Sequence, residues 1–471
     1  MFRTFLSLRY LRARKTSWIG MAGIFVAVAA LVLILSIMAG FLAESRRTLR
    51  GNLADLQVMP AFQSSVLQDN GNWVPMADDI ERMLEIIEAH PKVVAATPQL
   101  QWVGILAPDG GEQALEKPMQ DAIQLIDIVG IDVEREADAT DFAASLEALP
   151  SKKKGLGEIC LVGRPESHED PFQNVPTPFQ DGPRARPRTP ILVGEQLAYL
   201  WGLRRGQEIA IVTATYDEST SKLNETPANA RFQVVGSFRS MDNETDSRRI
   251  YMDRRDLADF LQRERMWSSV LIKLEDYERD KDDVRLELWE QLHAENFVSA
   301  PGIRPSELRT WEDFRATLLA AIENEKSLMG IMLSLVLVVA GFTVFALLSM
   351  MVTEKRRDIG ILCALGATSR GVLALFLMIG LWEAVIGAFF GALAGVWGAI
   401  NIDAIERNLS KTFGFEIFNR DIYLFDHIPA EVTPSGVAWI VGGAVVCTLL
   451  FAAIPAWRAS RLDPVEALRH E

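Results

Sequence analysis

The sequence predicts a membrane protein with four transmembrane α-helices and a large α+β extracytoplasmic domain between the first and second helices. Four apolar runs are each long enough to cross the ~30 Å hydrocarbon layer of a bilayer. An acidic block, residues 43–325, separates the first run from the second and alternates between helix and strand patterns. Of the 471 residues, 49% are hydrophobic, and the charges behind the net charge of −14 are concentrated between the apolar runs.

The first apolar run follows a basic N-terminal segment, a pattern shared with signal peptides. Trp18–Leu42 is nevertheless about 25 residues long, which is enough to cross a membrane, and no small-residue cleavage site stands out after it. We therefore predict a retained first transmembrane helix at 16–42, with its basic side in the cytoplasm. Apolar residues among the cations predict a cytoplasmic helix at the membrane surface over residues 1–15.

The extracytoplasmic block 43–325 shows mixed periodicity. The segments with helix or strand patterns are 78–89 (helix), 93–97, 101–106 and 125–130 (strands), 191–203 and 250–261 (strand then helix), and 204–214, 230–238 and 269–274 (strands). Residues 166–190 are rich in proline and charge and predict a loop or insertion. Apolar residues at helical spacing in Trp311–Lys326 predict an amphipathic helix that continues into the second span as one stalk.

The other apolar runs predict transmembrane helices at 326–352, 372–400 and 434–456. Basic residues flank these runs on the side expected to face the cytoplasm. The loop 401–433 is then expected outside the membrane, and the tail 457–471 inside the cell.

The third span carries a glycine strip and one acidic residue. The glycines are Gly380, Gly387, Gly391, Gly395 and Gly398. Spacing near four residues predicts a flat face that another helix can approach closely, and packing within the chain is favoured over a dimer contact. Glu383 is a functional candidate because it is ionisable within a membrane segment, although an interfacial position or a role in helix packing would also explain it.

A short helix is predicted between the second and third spans, within the cytoplasmic segment 353–371. It opens with a charged cluster and then turns apolar at helical spacing; the residues are Glu354, Lys355, Arg356, Arg357, Asp358, Ile359 and Leu362. Gly366 follows where the helix would end. Such a helix can receive motion from a soluble partner and pass it to the membrane, or it can serve only to fix the orientation of the flanking spans.

No catalytic or metal-binding pattern is found in the sequence. The phosphate-cradling motif GxxxxGK[ST], the zinc motif HExxH and the nucleophile motif GxSxG are all missing. The five histidines are scattered, and the three cysteines predict neither a disulfide framework nor a metal site. Basic doublets lie within an acidic domain, which argues against nucleic-acid binding. We expect a protein that is not itself an enzyme and holds no metal or cofactor.

Three motifs carry a family resemblance. They are the basic cluster with DIGILCALGAT after the second span, the ending IPAWRASRLDPVEALRHE, and the start LSLRYLRARK with LSIMAGF in the first span. The turn GLRRGQ and the segment VVGSFRS extend the similarity into the domain. Together they resemble the MacB/FtsX superfamily of ABC permeases, and in particular its lipoprotein-releasing, Lol-type branch. The resemblance implies a two-lobed extracytoplasmic domain.

The resemblance also implies a function and partners. A permease of this type has no ATP site of its own, because a separate ABC ATPase subunit binds ATP. It pairs with a second permease subunit as a homodimer or heterodimer, and it extracts lipoproteins from the outer leaflet of the inner membrane by mechanotransmission. Membrane lipid and a periplasmic lipoprotein carrier are further implied partners. The residues 354–359 and 362 would couple to the ATPase, and the substrate cavity would be lined by Met38, Phe41, Leu42, Met329, Met332 and Leu333.

The chain departs from the family at the loop expected to grip the carrier. The matching position, 216–230, contains Tyr216, Leu223 and Pro227 but is mostly polar with one proline, which leaves carrier docking there open. Two alternatives remain. One is an FtsX-like signalling subunit that activates a cell-wall hydrolase, although such outer domains are shorter. The other is a MacB-like efflux permease, although those proteins carry a fused nucleotide-binding domain.

Overall fold

The computed structural model describes residues 15–59, 65–67, 73–75, 78–107, 124–147, 162–167, 169–173, 188–217, 222–223, 228–240, 242–262, 267–299, 307–413 and 428–462. The chain forms two compact units. The membrane unit combines Met1–Ser45 with Thr317–Asn419 and Asp426–Glu471, and the domain unit includes Arg46–Ala316. The predicted surface helix 1–15 lies outside the described residues apart from Lys15, as does Cys160.

The described residues form helices and strands in the following order. The helices are α1 (Lys15–Leu53), α2 (Ile80–Glu88), α3 (Val133–Ala139), α4 (Phe142–Glu147), α5 (Glu195–Trp201), α6 (Asn243–Arg248), α7 (Arg254–Leu261), α8 (Tyr277–Ala294), α9 (Trp311–Phe314), α10 (Ala316–Glu354), α11 (Arg356–Ala364), α12 (Ser369–Ile400), α13 (Ile402–Phe413) and α14 (Pro434–Ser460). The strands are β1 (Leu56–Val58), β2 (Ser65–Leu67), β3 (Trp73–Pro75), β4 (Val93–Ala107), β5 (Gln124–Ile131), β6 (Thr189–Gly194), β7 (Glu208–Thr213), β8 (Tyr216–Asp217), β9 (Lys222–Leu223), β10 (Ala228–Phe238), β11 (Arg249–Asp253), β12 (Ser269–Leu274) and β13 (Leu308–Thr310).

Four of the described helices, α1, α10, α12 and α14, are long and apolar enough to cross a membrane. They confirm the predicted number of transmembrane helices. α1 and α10 have 39 residues each, so each extends roughly 58 Å at 1.5 Å per residue. That is well beyond the thickness of the hydrocarbon layer. Each of these two helices therefore continues past the membrane, as expected for a stalk.

The glycine strip of α12 packs against α1 within the membrane unit. A β-carbon added at Gly391 would lie 2.7 Å from the Phe25 carbonyl oxygen, and one at Gly395 would lie 2.8 Å from that of Ala29. These distances leave no room for a side chain. Gly380, about three turns before Gly391 on α12, instead approaches Ala452 of α14. The favoured interpretation of the strip, packing within the chain, is confirmed.

The domain unit consists of two lobes that share one strand. The first half of β4 pairs with β12, which continues through β1 to β13. The second half pairs with β5 on one side and β7 on the other, which closes a barrel in the order β4, β5, β11, β6, β10, β7. We call the first set of strands the sheet lobe and the second the barrel lobe. Both are covered by short helices, so the predicted two-lobed α+β architecture is confirmed.

The shared strand corrects one sequence prediction. We expected separate strands at 93–97 and 101–106, but β4 runs without a break through both. At the change of partner, the Ser268 hydroxyl accepts the Gln101 N–H at 2.7 Å, and the Ser268 N–H donates to the Gln99 carbonyl at 2.8 Å. These bonds hold the strand where one lobe passes into the other. Sequence patterns could not show this continuity because Pro98 lies between the two expected strands and lacks a backbone N–H donor.

Further differences from the predictions concern helices. The helices α3, α4, α6, α8 and α13 were not predicted. The expected continuous helix over Trp311–Lys326 is broken at Arg315, where φ is −105° and ψ is 20°. α9 therefore forms a separate turn ahead of α10. Much of the predicted insertion 166–190 falls on residues 174–187, which lie outside the described part of the chain.

Candidate functional site

The predicted coupling segment forms a helix distinct from the membrane helices on either side. Glu354 is the last residue of α10, so it does not belong to the short helix. The chain turns at Lys355, whose Nζ lies 2.5 Å from the Asp358 carboxylate. The Ile359 N–H donates to the Lys355 carbonyl at 2.9 Å, which starts α11. The structure therefore divides the predicted coupling residues between the end of a membrane helix and the start of α11.

α11 has one face packed on the membrane unit and one face open. Ile359 is 3% exposed, and Leu362 lines a small apolar pocket with residues of α10 and α12, among them Met351 and Phe376. On the open face Ile361 is 43% exposed and Leu365 is 81% exposed. Their four-residue spacing is visible in the sequence, but the predicted coupling residues were Ile359 and Leu362, at the start of the apolar run.

The open face also carries the basic residues predicted for coupling. Arg356 and Arg357 are exposed at the start of α11, and Arg357 lies four and eight residues before the two exposed apolar side chains. Positions four apart share a helix face. α11 thus presents a stripe of cationic and then apolar character to its surroundings, which fits a protein surface with an apolar groove and acidic margin.

The far end of α11 is held by a specific backbone motif. Gly366 adopts φ +96°, and its N–H donates to the Cys363 carbonyl at 3.0 Å. The Ala367 N–H donates to the Leu362 carbonyl at 3.0 Å, completing a Schellman cap. The Thr368 hydroxyl then accepts the Gly371 N–H at 3.2 Å and caps α12. Leu365 is therefore fixed at a sharp corner between two helices.

Five of the six predicted cavity residues can be placed on the two stalk helices. Met38, Phe41 and Leu42 on α1 and Met329 on α10 are half-buried, whereas Met332 is 71% exposed. The side chain of Leu333 lies outside the described part of the structure. The exposed apolar face of α10 is broad and includes Leu328, Ile331, Met332, Leu335, Val339 and Phe342. Within a single chain this face is open to lipid, to another subunit or to a substrate.

Glu383 is buried in the membrane unit and is 1% exposed. Its carboxylate lies against Gly20 of α1. A β-carbon added to Gly20 would be 3.3 Å from Oε2 of Glu383 and 3.3 Å from the Leu347 side chain of α10. The carboxylate therefore lies where α12 packs against α1. An interfacial position, helix packing and a functional role all remain compatible with this burial.

The predicted carrier loop is a short hairpin. Tyr216 pairs with Leu223 as β8 and β9 form a two-stranded ribbon separate from the main sheet. Pro227 lies outside the described residues. The ribbon extends between β7 and β10 of the barrel lobe.

The barrel lobe also has a groove of about 800 Å³ that was not predicted from the sequence. It crosses the outer face of the barrel lobe, and its apolar floor includes Val103 and Leu125, each 49% exposed. Arg248 and Asp127 lie on its margin, 3.8 Å apart. Phe314 and Arg315, from the α9 turn and its break, form one wall. No sequence signal indicated it because β4, β5, β7 and α9 are distant along the chain.

Comparison with known families identifies the chain. Residues 17–285 match the MacB-like periplasmic core domain, and residues 330–464 match the FtsX-like permease C-terminal domain. The first match alone covers more than half of the chain. The chain belongs to the MacB/FtsX family of ABC permeases. With four candidate membrane helices and a MacB-like periplasmic domain between the first and the second along the chain, this permease is a multi-pass protein of the bacterial inner membrane. A periplasmic domain between α1 and α10 predicts cytoplasmic positions for both termini and α11.

Two kinds of relatives are similar to this permease. The lipoprotein-releasing system transmembrane protein LolC of Xylella fastidiosa (strain 9a5c) is 26% identical over 99% of this chain and 98% of its own length. LolC of Neisseria meningitidis serogroup B is also 26% identical, with the same coverage. The macrolide export ATP-binding/permease protein MacB of Wolinella succinogenes is 31% identical, but over 34% of this chain and 23% of its own length.

Two buried carboxyl groups lie in the permease's periplasmic domain. Burial raises the pKa of Glu136 to about 7, although Gln99 donates to its carboxylate at 2.7 Å. Burial likewise raises the pKa of Asp246 to about 7, against hydrogen bonds from the Ser240 N–H at 2.8 Å and hydroxyl at 2.7 Å. Within the described residues no cluster of histidine, cysteine and acidic side chains could hold a metal ion. For both acids, burial disfavours the charged form.

The two acids predict a domain that loses stability as the pH rises. The ordinary pKa is 4.5 for Glu136 and 3.8 for Asp246. Between about pH 4 and 7 the unfolded chain therefore releases protons that the folded chain keeps. The free energy of unfolding is therefore highest below that pH range and decreases across it, by roughly 3 kcal/mol for Glu136. Thermal unfolding of the permease between pH 4 and 8 checks this, and Glu136→Gln should flatten the slope. Glu134→Gln, exposed on the same helix, is the control; equal slopes in all three proteins would contradict the prediction.

Proposed function

We propose that this permease works with a separate ABC ATPase and a second permease subunit to extract lipoproteins from the outer leaflet of the inner membrane. The observation that supports this most is coverage. The relatives named LolC match nearly end to end, whereas the MacB relative of Wolinella succinogenes matches over less than a quarter of its own length. Lipoprotein release is accordingly favoured over the efflux alternative.

The structure of α11 supports a role in receiving motion from the ATPase. Its open face, Arg356, Arg357, Ile361 and Leu365, is available to a soluble partner. Its packed face contacts the ends of α10 and α12 through Ile359 and Leu362. Because packed interiors resist compression, a displacement of α11 moves the ends of both helices. The motion would reach the periplasm through α10, which continues past the membrane.

The exposed face of α10 supports a lipid-modified substrate. Acyl chains are stabilised by about 0.8 kcal/mol for each buried CH₂, so extraction needs a receiving surface of similar apolarity. Met332 and its apolar neighbours provide such a surface on α10. Methionine suits acyl chains of different shapes because its side chain is flexible and polarisable. A second subunit would complete the cavity.

A photocrosslinking experiment tests this proposal. A crosslinker in place of Met332 should capture a triacylated lipoprotein in the assembled transporter, and ATP turnover should reduce the captured amount. Met350 is the matched control, because it is also an exposed methionine of α10 but lies about 27 Å further along the helix. We expect lipoprotein at position 332 and not at position 350.

Two results would contradict the proposal. Phospholipid captured equally at both positions, with no lipoprotein at either, would leave position 332 as an ordinary lipid-facing site. Co-purification of a cell-wall hydrolase together with that result would favour the FtsX-like signalling alternative.

A further inference from the structure

The turn before α10 is a compact, self-capped structure. The Thr310 hydroxyl accepts the Asp313 N–H at 3.0 Å, and the Asp313 carboxylate accepts the Thr310 N–H at 3.1 Å. This capping box fixes α9 immediately ahead of Arg315 and the start of α10. The side chains of the turn therefore have defined directions relative to the first residues of α10.

One side of this turn is bound to the sheet lobe. Lys281 of α8 lies 2.9 Å from the Glu312 carboxylate, and Arg285, one turn further on, lies 3.1 Å from that of Asp313. The Tyr277 and Trp311 rings pack with their centroids 6.2 Å apart. α8 thus holds three consecutive residues of α9.

The end of α1 reaches the same part of the sheet lobe. Arg50 Nε donates to the buried Asp55 carboxylate at 2.5 Å, and its guanidinium lies 5.0 Å from the centre of the Tyr277 ring. Asp55 also accepts the Leu274 N–H at 2.8 Å, and its carbonyl accepts the Trp311 N–H at 3.2 Å. The end of α1 and the turn ahead of α10 are therefore attached to the sheet lobe through one cluster of contacts.

The barrel lobe is attached to the α10 side of the junction through Arg315. Its guanidinium lies 3.3 Å from Glu244 and 4.0 Å from Asp242, both at the start of α6. α6 leads directly into the barrel strand β11. Arg315 also forms a wall of the groove described above, whose floor is made by barrel strands. A change in the position of Arg315 relative to α6 would therefore change the width of that groove.

We infer that Arg315 is a positioning residue that makes the barrel lobe follow α10 when ATP moves the membrane helices. The inference rests on the proposed function, because it assumes that motion from an ATPase reaches α10. The sheet lobe follows the motion of α10 through the ion pairs of α8 with α9. The barrel lobe follows it through the ion pair of Arg315 with Glu244. The two lobes thus have separate attachments to the base of one helix.

Charge reversal and charge exchange test the attachment in the assembled transporter with its ATPase. Arg315→Glu places three carboxylates together, and Glu244→Arg opposes two guanidinium groups. Each single variant should lower the rate of ATP-driven lipoprotein release by about tenfold. The double variant should recover to within about threefold of the wild-type rate, because the effects of residues in contact are not additive. Arg279→Glu is the control, because Arg279 is exposed on α8 and makes no ion pair within the described part of the chain.

Paired spin labels distinguish positioning from loss of structure. Positions 204 and 290 are exposed on the barrel lobe and sheet lobe respectively, and position 325 is exposed on α10. In wild-type protein a non-hydrolysable ATP analogue should shift both the 204–325 and 290–325 distances together. Arg315→Glu should uncouple the first distance from the second while the 290–325 shift persists, which also shows that the variant is folded.

The outcomes separate this inference from the proposed function. A 204–325 shift that is present in wild-type protein and lost in Arg315→Glu supports the inference. It does so even if the transporter releases no lipoprotein, and in that case only the proposed function fails. Unchanged shifts at both pairs in Arg315→Glu, loss of both shifts in that variant, or no recovery of the 204–325 shift in the double variant would each overturn the inference.

Discussion

Leu365→Asp should abolish ATP-dependent transport while leaving the permease inserted and folded. Leu365 is 81% exposed at the corner that the Gly366 cap holds, so an aspartate there is solvated in the free protein. When the ATPase docks, the same carboxylate would be buried in an apolar groove without a partner, at a cost of several kcal/mol. A cost of that size weakens binding by about a hundredfold or more. Co-purification of the ATPase and transport in vesicles measure both effects.

The controls for this experiment separate docking from packing. Leu409→Asp introduces the same change at an exposed leucine of α13, which is outside the cytoplasmic segment, and should leave ATPase binding unchanged. Leu362→Asp should behave differently, because Leu362 lines the pocket beneath α11 and its replacement destabilises the permease itself. Arg357→Glu should weaken docking without destabilisation. Normal ATPase binding by both Leu365→Asp and Arg357→Glu would show that α11 serves only to fix orientation.

Gly391→Leu should prevent the membrane unit from assembling. The first atom of any side chain at this position would lie 2.7 Å from the Phe25 carbonyl oxygen and 3.0 Å from the Val28 β-carbon. The backbone of α1 cannot move aside as a flexible side chain can. The leucine would therefore force α1 away from α12, and the packing of Ile24, Val28 and Val32 against α12 would be lost. Overpacking of this kind costs about 1–3 kcal/mol where the structure can adjust, and more where it cannot. We expect almost no folded protein after detergent extraction.

A glycine on another helix provides the matched control. A β-carbon at Gly442 of α14 meets nothing within 4 Å, so Gly442→Leu should leave the amount of folded permease nearly unchanged. The measurement is the monodisperse fraction in detergent, with the melting temperature of any protein recovered. Equal yields of Gly391→Leu and Gly442→Leu would mean that α1 does not depend on the glycine strip.

The sequence allowed prediction of those features that follow from local pattern. The four membrane helices were found because hydropathy and length suffice to identify a span. The glycine strip indicated close packing within the chain because its spacing matches the helical repeat. The charged and apolar halves of α11 were also evident, although Glu354 was assigned to the wrong helix.

The features that were missed depend on contacts between distant residues. The inward side of α11 is determined by α12, so the sequence alone could not choose between Leu362 and Leu365. The buried stripe of α8, Val284, Leu288 and Leu292, was hidden among charged residues that now bind α9. Closure of the barrel requires Ile105 to pair with Val212, which no local pattern predicts. The groove and the Arg315 attachment likewise join residues that are distant along the chain.

The pairing of β1 with β13 determines when this domain can finish folding. Leu56, just after α1, lies opposite Thr310, just before α10. During biosynthesis the sheet lobe must therefore wait until nearly the whole domain has emerged, and pairings so distant in sequence form slowly. Until then the partners of β1 are missing and its edge is exposed to misassembly. The strand that completes the sheet arrives immediately ahead of α10, so folding of the periplasmic domain and insertion of the second membrane helix become consecutive steps of one process.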